Sequence, residues 1–497
     1  MAKSKLLKNS SFSVLQMIIT AIVALILFKL MVSELGLEIT GLWSYLSSLT
    51  AITAFGSFGF SNSLLYYIPK YTASKRQDQI SSLVNTTFYS IFGLTSLLCL
   101  LAYLIFHFTI PFTINASIVP LANKLLPVVL ASFFFSGLSS TFLSVLDGMI
   151  LMHIRAKINI AGTIIFLIAG FVLIRQFGIM GVPLAQLCQN VFLLLAGFFY
   201  VKKHQPHYHF SLRFSRSTFR EIFKYGFNFQ LISVTQILAE PYIKSMLTKY
   251  AGTANVAIFD ICQKIFGAGR GLIISANQTI VPHITVFKTL DHHTRLITFY
   301  KTNFRVILLL GAILFLAPLA FFNTLNLALF HSTGFNYTFI LFNISIALFI
   351  NALAFPAHFQ YLGIGKLKWL VINNSVTALI MLISAPLIGH FIGGVYIVMA
   401  WSVPTLIGPV ILMMAYSLEY HVSTIKTLGK DMLILLVALA LVICINYNLT
   451  GHGYFKNSPV TLFCLHLAVF AGVLAYPVFT NITIKKIATR IRRRYGK

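Results

Sequence analysis

Read between polar breaks, this chain resolves into about fourteen apolar runs of roughly twenty residues or more, the length at which a helix crosses the hydrocarbon core of a bilayer. They fall near 11–34, 41–68, 83–110, 121–152, 159–175, 181–201, 225–249, 255–282, 302–323, 335–362, 369–388, 394–418, 431–449 and 459–480. One or two soluble domains cannot hide so much apolar surface. Of 497 residues, 58% are hydrophobic and 9% charged, whereas a water-facing surface draws on about 25% charged residues. The expected fold is an all-α polytopic membrane protein of about 14 transmembrane helices.

The formal net charge of +27 fits either nucleic acid or an anionic membrane leaflet, and topology chooses between them. An even number of spans puts both termini on one side. The loops on that side carry 29 of the 37 Lys and Arg residues, and the opposite loops carry only Lys124, Arg175 and Lys456. That asymmetry predicts both termini in the cytoplasm. The basic tail, from Lys485 to Arg494, then faces anionic membrane lipids. No nucleic acid partner is expected, since aromatic interleaving and a folded binding module are lacking.

Other chemistry is thinly provided. Cys99, Cys188, Cys262, Cys444 and Cys464 all lie inside apolar runs, which fits buried small hydrophobes better than a disulfide framework or a metal site. His204, His207 and His209 sit in a basic loop without a neighbouring acid, so no metal is assigned. No phosphate loop occurs, because Gly365-Lys366 and Gly429-Lys430 lack the upstream glycine. No external loop exceeds about a dozen residues, which leaves no room for an external catalytic domain. No catalytic residue is assigned and no cofactor is expected, apart from H+ or Na+ as coupling ions.

The long basic connection at 202–224 divides the chain into a six-helix lobe at 1–201, a second at 225–418, and a helix pair with a basic tail at 419–497. The halves echo one another. Leu35-Gly36 ends one span before Gly41-Leu42-Trp43 opens the next, and Ala251-Gly252 stands likewise before Ala257-Ile258-Phe259. Ile68-Pro69-Lys70-Tyr71 and Val281-Pro282-His283-Ile284 close the paired spans, with a register difference of three residues.

The run Ser33-Glu34-Leu35-Gly36-Leu37-Glu38-Ile39-Thr40-Gly41-Leu42-Trp43, followed by Phe55-Gly56-Ser57-Phe58-Gly59-Phe60-Ser61-Asn62-Ser63 and Ile68-Pro69, resembles the opening of bacterial polysaccharide (O-antigen-type) flippases. Tyr225-Gly226-Phe227 through Tyr250-Ala251-Gly252 to Pro282 is similar to the start of that family's second half. The resemblance places the chain in the multidrug/oligosaccharidyl-lipid/polysaccharide exporter superfamily. It implies two six-helix bundles around a central cavity, alternating access and an added C-terminal helix pair.

Embedded charges are costly in lipid, at about 3 kcal/mol each near the bilayer centre, so the few present are the candidates for function. In the seventh span Gln230, Ser233, Gln236, Glu240 and Lys244 fall within about 120° of helical arc. In the eighth, Asp260, Gln263, Lys264, Arg270, Asn277 and Gln278 form a second stripe. Glu240 with Lys244 and Asp260 with Lys264 are i,i+4 pairs, a spacing that serves a buried structural pair as well as a ligand site. Arg270 has no acid on its own helix. A stripe with more cation than anion suits a diphosphate, which Arg grips as a planar fork and Lys as a mobile point charge.

Substrate contact is therefore expected from Arg270, Lys264, Lys244 and Lys29, and ion coupling or cavity lining from Glu240, Asp260 and Asp147. Lys29 can alternatively snorkel to the interface. Asp147 ends a serine stripe (Ser132, Ser136, Ser139, Ser140, Ser144) and can instead pair with Arg155. Gly267, Gly269 and Gly271 around Arg270, and Pro241 beside Glu240, mark expected bends.

Joined to the resemblance, these residues predict a flippase that moves undecaprenyl-diphosphate-linked oligosaccharide from the inner to the outer leaflet, beside a glycan polymerase and other envelope assembly proteins. Two alternatives stand. A cation-coupled multidrug antiporter would carry an acidic lumen, and a membrane glycosyltransferase or glycan polymerase would carry an external catalytic loop.

Overall fold

Within lipid each segment must satisfy its own backbone donors and acceptors, and the apolar runs do so as helices. The structure is a computed structural model. It describes residues 2–49, 55–73, 77–205, 208–211, 214–278, 293–320, 335–366 and 368–423, with single positions 284, 427 and 437. The expected spans at 431–449 and 459–480 and the basic tail lie outside the described residues.

Thirteen helices of ten residues or more carry the described chain: α1 (Ala2–Leu49), α2 (Phe55–Ala73), α3 (Gln77–Thr109), α4 (Val119–Gly148), α5 (Met152–Phe177), α6 (Gly181–His204), α7 (Arg216–Ala251), α8 (Thr253–Gln278), α9 (His293–Gly311), α10 (Phe335–Leu353), α11 (Phe355–Ile364), α12 (Lys368–Phe391) and α13 (Val398–Glu419). Eight segments among the described residues are long and apolar enough to cross a membrane, and the chain is a multi-pass membrane protein. The helices form two compact units, Met1–Lys264 with Gly389–Ile397, and Ile265–Ile388 with Val398–Lys497. The division falls inside α8.

In the first unit α4 packs on α6 and α2, and α5 packs on α6 and α1. Phe60, Leu64, Ile68, Leu83 and Leu146 belong to its buried core. Along α4, the hydroxyls of Ser132, Ser139 and Ser140 donate back to carbonyls one turn earlier. That satisfies them within the helix and leaves small side chains where helices approach closely. The connection expected as a basic linker is strapped onto α3 in its described part. Asn85 donates to the His209 carbonyl and the Ser211 hydroxyl, and accepts from Tyr208. Burial raises the Tyr208 phenol above its ordinary pKa.

The echo between the halves reappears in the backbone. Gly36 interrupts α1 at φ 81°, ψ 168°, and Gly252 separates α7 from α8 at φ 83°, ψ 164°. This region is essentially closed to residues with a Cβ. Just after the first break, a Cβ on Gly41 would stand 1.7 Å from the Thr253 carbonyl oxygen. The two junctions therefore meet backbone to backbone. Gly36→Ala and Gly252→Ala are each expected to lower stability by about 1–3 kcal/mol, although no atom lies within 4 Å of either new methyl. Thermal unfolding of the purified variants checks this, and unchanged midpoints would contradict it.

In the second unit α10 packs against α13 and α9. After Gly311 the chain makes a π turn over Ala312–Leu316, and Ser345 donates to the Phe315 carbonyl at 2.6 Å. The inserted residue thus finds a partner for a carbonyl left out of the α ladder. At one end of this unit Tyr416 stacks between Tyr300 and Tyr420, with centroids 4.2 and 4.6 Å away. There Glu419 accepts from Tyr361 and pairs with Lys366. The Glu419 hydrogen bond raises the Lys366 ammonium pKa above its usual value.

The helix does not unwind at Gly267, Gly269 and Gly271. α8 runs unbroken from Thr253 to Gln278, with Leu314 Cβ 3.2 Å from where a Gly269 Cβ would lie. Here glycine serves close packing. α7 likewise continues through Pro241.

Candidate functional site

Two arrangements carry the candidate residues, one in each unit. In the first, α7 presents Glu240 and Lys244 one turn apart, and α8, restarted by Gly252, presents Asp260 and Lys264 one turn apart. Both expected i,i+4 pairs form, Glu240 to Lys244 at 2.7 Å and Asp260 to Lys264 at 2.7 Å. A third bond joins them across the helices, from Lys244 Nζ to Asp260 Oδ1 at 2.5 Å. The result is a continuous chain Glu240–Lys244–Asp260–Lys264 with no net charge. Its middle is buried, with Lys244 and Asp260 side chains 2% and 7% exposed, whereas its ends, Glu240 and Lys264, are 55% and 46% exposed.

Ser44, on the part of α1 beyond Gly36, donates to Asp260 Oδ2 at 2.9 Å. These two residues stand 216 positions apart, the same offset as Gly36 and Gly252. Both lie in the first unit, where their bond joins α1 to α8. By that offset Glu240, Lys244 and Asp260 answer to Ala24, Phe28 and Ser44, which with Thr40, Trp43 and Lys264 line a cavity of about 70 Å³. Lys264, the exposed end of the charged chain, borders this small void.

The second arrangement centres on Arg270. Its guanidinium carbon lies 5.9 Å from the centre of the Phe355 ring, a cation–π distance. Its Nε is buried without a hydrogen-bond partner among the described residues. One turn along α11, His358 lies within the electrostatic reach of Arg270. Deeper on α8, Asn277 is buried and accepts from Asn303 at 2.7 Å. No ion pair of Arg270 occurs among the described residues.

Lys29 is exposed on α1. Asp147, at the end of α4, forms an ion pair with Arg155 at the start of α5, the alternative its neighbourhood allowed. The side chains of Gln230, Ser233, Gln236 and Gln278 lie outside the described residues. Sequence reasoning missed Ser44 and His358. Ser44 had a signal, its place in the repeat opposite Asp260. His358 had none beyond being a lone imidazole in an apolar run.

The helical fold is one shared with solved membrane proteins. It is similar to the lipid II flippase MurJ in an inward closed conformation, with a TM-score of 0.69 and 16% identity over 96% of this chain and 99% of that one. It is also similar to an inward-facing multidrug resistance transporter of the MATE family, with a TM-score of 0.68 and 15% identity over 81% and 94%. A MOP superfamily transporter from Pyrococcus furiosus matches with a TM-score of 0.52 and 15% identity over 84% and 96%. At such identities the likeness is one of fold.

The model of the polysaccharide biosynthesis protein family matches residues 6–288, and the chain belongs to that family. An uncharacterized membrane protein of Methanocaldococcus jannaschii is 25% identical over 271 residues, 51% of this chain and 53% of the relative. The chain thus spans about half the length of this curated relative.

Proposed function

We propose that this protein is a flippase carrying an undecaprenyl-diphosphate-linked oligosaccharide from the cytoplasmic to the outer leaflet of a bacterial plasma membrane, by alternating access and without covalent chemistry. One observation carries the reading. Of the seven embedded candidates, Glu240, Lys244, Asp260 and Lys264 cancel within their chain, and Asp147 is matched by Arg155. What remains without an ion pair among the described residues is cationic, Arg270 and Lys29. An uncompensated cation at membrane depth is kept at a cost of about 3 kcal/mol, which an anionic headgroup offsets when it binds.

In this reading Arg270 grips the diphosphate as a fork and Lys264, half exposed at the end of its chain, adds a point charge. Lys244 is enclosed by two carboxylates and acts through Asp260. Lys29 attracts the headgroup along α1. Glu240, Asp260 and Asp147 are the groups available to an H+ or Na+ coupling ion. The prenyl tail stays in lipid, and the basic tail holds the cytoplasmic surface against anionic lipids. A multidrug antiporter shares the fold, but its cationic cargo would meet a surplus of the wrong sign.

Depletion separates the readings. A flippase leaves finished lipid-linked units accumulating in the cytoplasmic leaflet, read by accessibility to an externally added glycan-modifying enzyme. Unpolymerised units collecting on the outer face would instead mark a polymerase and contradict the proposal.

A further inference from the structure

We infer that the end of the first unit where α2 stops and α3 and α7 begin is a saccharide-binding vestibule, distinct from the charged residues above. A cavity of about 600 Å³ lies there, within the roughly 300–1,000 Å³ range of small-molecule sites. Its walls include Lys70, Tyr71, Gln79, Ser82, Thr218 and Glu221. Hydroxyls, an amide, one ammonium and one carboxylate give donors and acceptors in mixture with no net charge. That mixture answers a polyhydroxylated ligand, whose hydroxyls both donate and accept. A nucleotide or an anionic headgroup would need a surplus of cation that these walls lack.

The walls are held from behind. Ser215 caps α7, its hydroxyl accepting from the Thr218 amide at 3.3 Å, while its own amide donates to Thr86 Oγ1 at 3.2 Å on α3. Tyr71 donates to Glu221 Oε2 at 3.2 Å, joining α2 to α7 across the cavity. Glu221, Gln79 and Ser82 line the space beside this bond. Lys70 lies 5.4 Å from the Tyr67 ring centre at the rim.

The inference rests on the proposed function in one respect. If the cargo is a lipid-linked oligosaccharide, this vestibule reads its sugars while Arg270 and Lys264 hold the diphosphate, so glycan selectivity and headgroup affinity reside in separate residues. By the loop-charge topology the vestibule opens on the cytoplasmic side, where the cargo is loaded.

The test uses the full chain in nanodiscs and saturation-transfer NMR with a panel of free monosaccharides, among them glucose, galactose, rhamnose and N-acetylglucosamine, and separately with inorganic diphosphate. At least one sugar should bind the wild type. The paired substitution Gln79→Ala with Ser82→Ala should weaken that binding about tenfold, the loss expected from two hydrogen-bonding groups. Glu221→Gln, which keeps size and shape, should also weaken it and so guards against misfolding of the pair. Sugar and diphosphate binding are read on the same samples, so that failure of the headgroup assignment is seen apart from failure of the vestibule. Absence of any sugar signal from the wild type, sugar binding indifferent to Gln79, Ser82 and Glu221, or diphosphate binding that depends on them, would each overturn the inference.

Discussion

Replacing Lys244 with Met is expected to destabilise the protein by about 3 kcal/mol or more, the largest loss among single substitutions in the charged chain. The Lys244 ammonium is almost wholly enclosed and bonded to Glu240 and Asp260. Removing it leaves a buried carboxylate with diminished compensation, and breaking a buried pair from one side costs about 3–5 kcal/mol. Asp260 keeps Lys264 and Ser44, which holds the loss toward the lower end. Removing both buried partners, as in Lys244→Met with Asp260→Leu, should recover much of the stability, because no orphaned charge remains at the centre. Unfolding of the single and double variants in one detergent yields the coupling directly. A Lys244→Met protein as stable as the wild type would show that the bond across α7 and α8 does not hold the junction.

What the sequence disclosed follows the range over which residues act. The pairs Glu240–Lys244 and Asp260–Lys264 could be read because helical spacing alone brings them together. The link between Lys244 and Asp260 could not, since it depends on the dihedral angles of Gly252, which turn α8 back beside α7. Ser44 joins Asp260 from 216 positions away, and only the repeat marked the two as equivalent. The glycines around Arg270 suggested a weak point from their intrinsic helix propensity, but α8 stays helical through them, with Leu314 packed at Gly269. Asp147 was open between a pathway and Arg155, and local geometry settled its partner as Arg155. Cys188 is exposed rather than buried, because an apolar run fixes depth in lipid and not which face of a helix meets a neighbour. The expected span at 41–68 corresponds to the second part of α1 with α2, and residues 50–54 lie outside the described residues.

His358 shows the same limit from the other side. No motif surrounds it, yet the fold brings it near Arg270, with the Phe355 ring close to the guanidinium. Arg270 was legible as an acid-free cation on its own helix. That it meets no acid from other helices among the described residues is a property of packing.

The second large expected effect is functional. Arg270→Ala with Lys264→Ala should abolish glycan export at normal protein levels, and Arg270→Lys should retain part of it, because a point charge replaces a fork. The loss should lie in cargo binding rather than folding. Lys264 sits at the exposed end of its chain, where Asp260 keeps Lys244 and Ser44, and Arg270 leaves no ion pair behind. The most direct measurement is the affinity of purified, reconstituted protein for undecaprenyl diphosphate, compared between wild type and the double variant at matched stability. Two charge-assisted contacts of about 1.5–3 kcal/mol each correspond to a loss of at least about a hundredfold. Equal affinity in the two proteins would contradict the assignment of these cations to the headgroup.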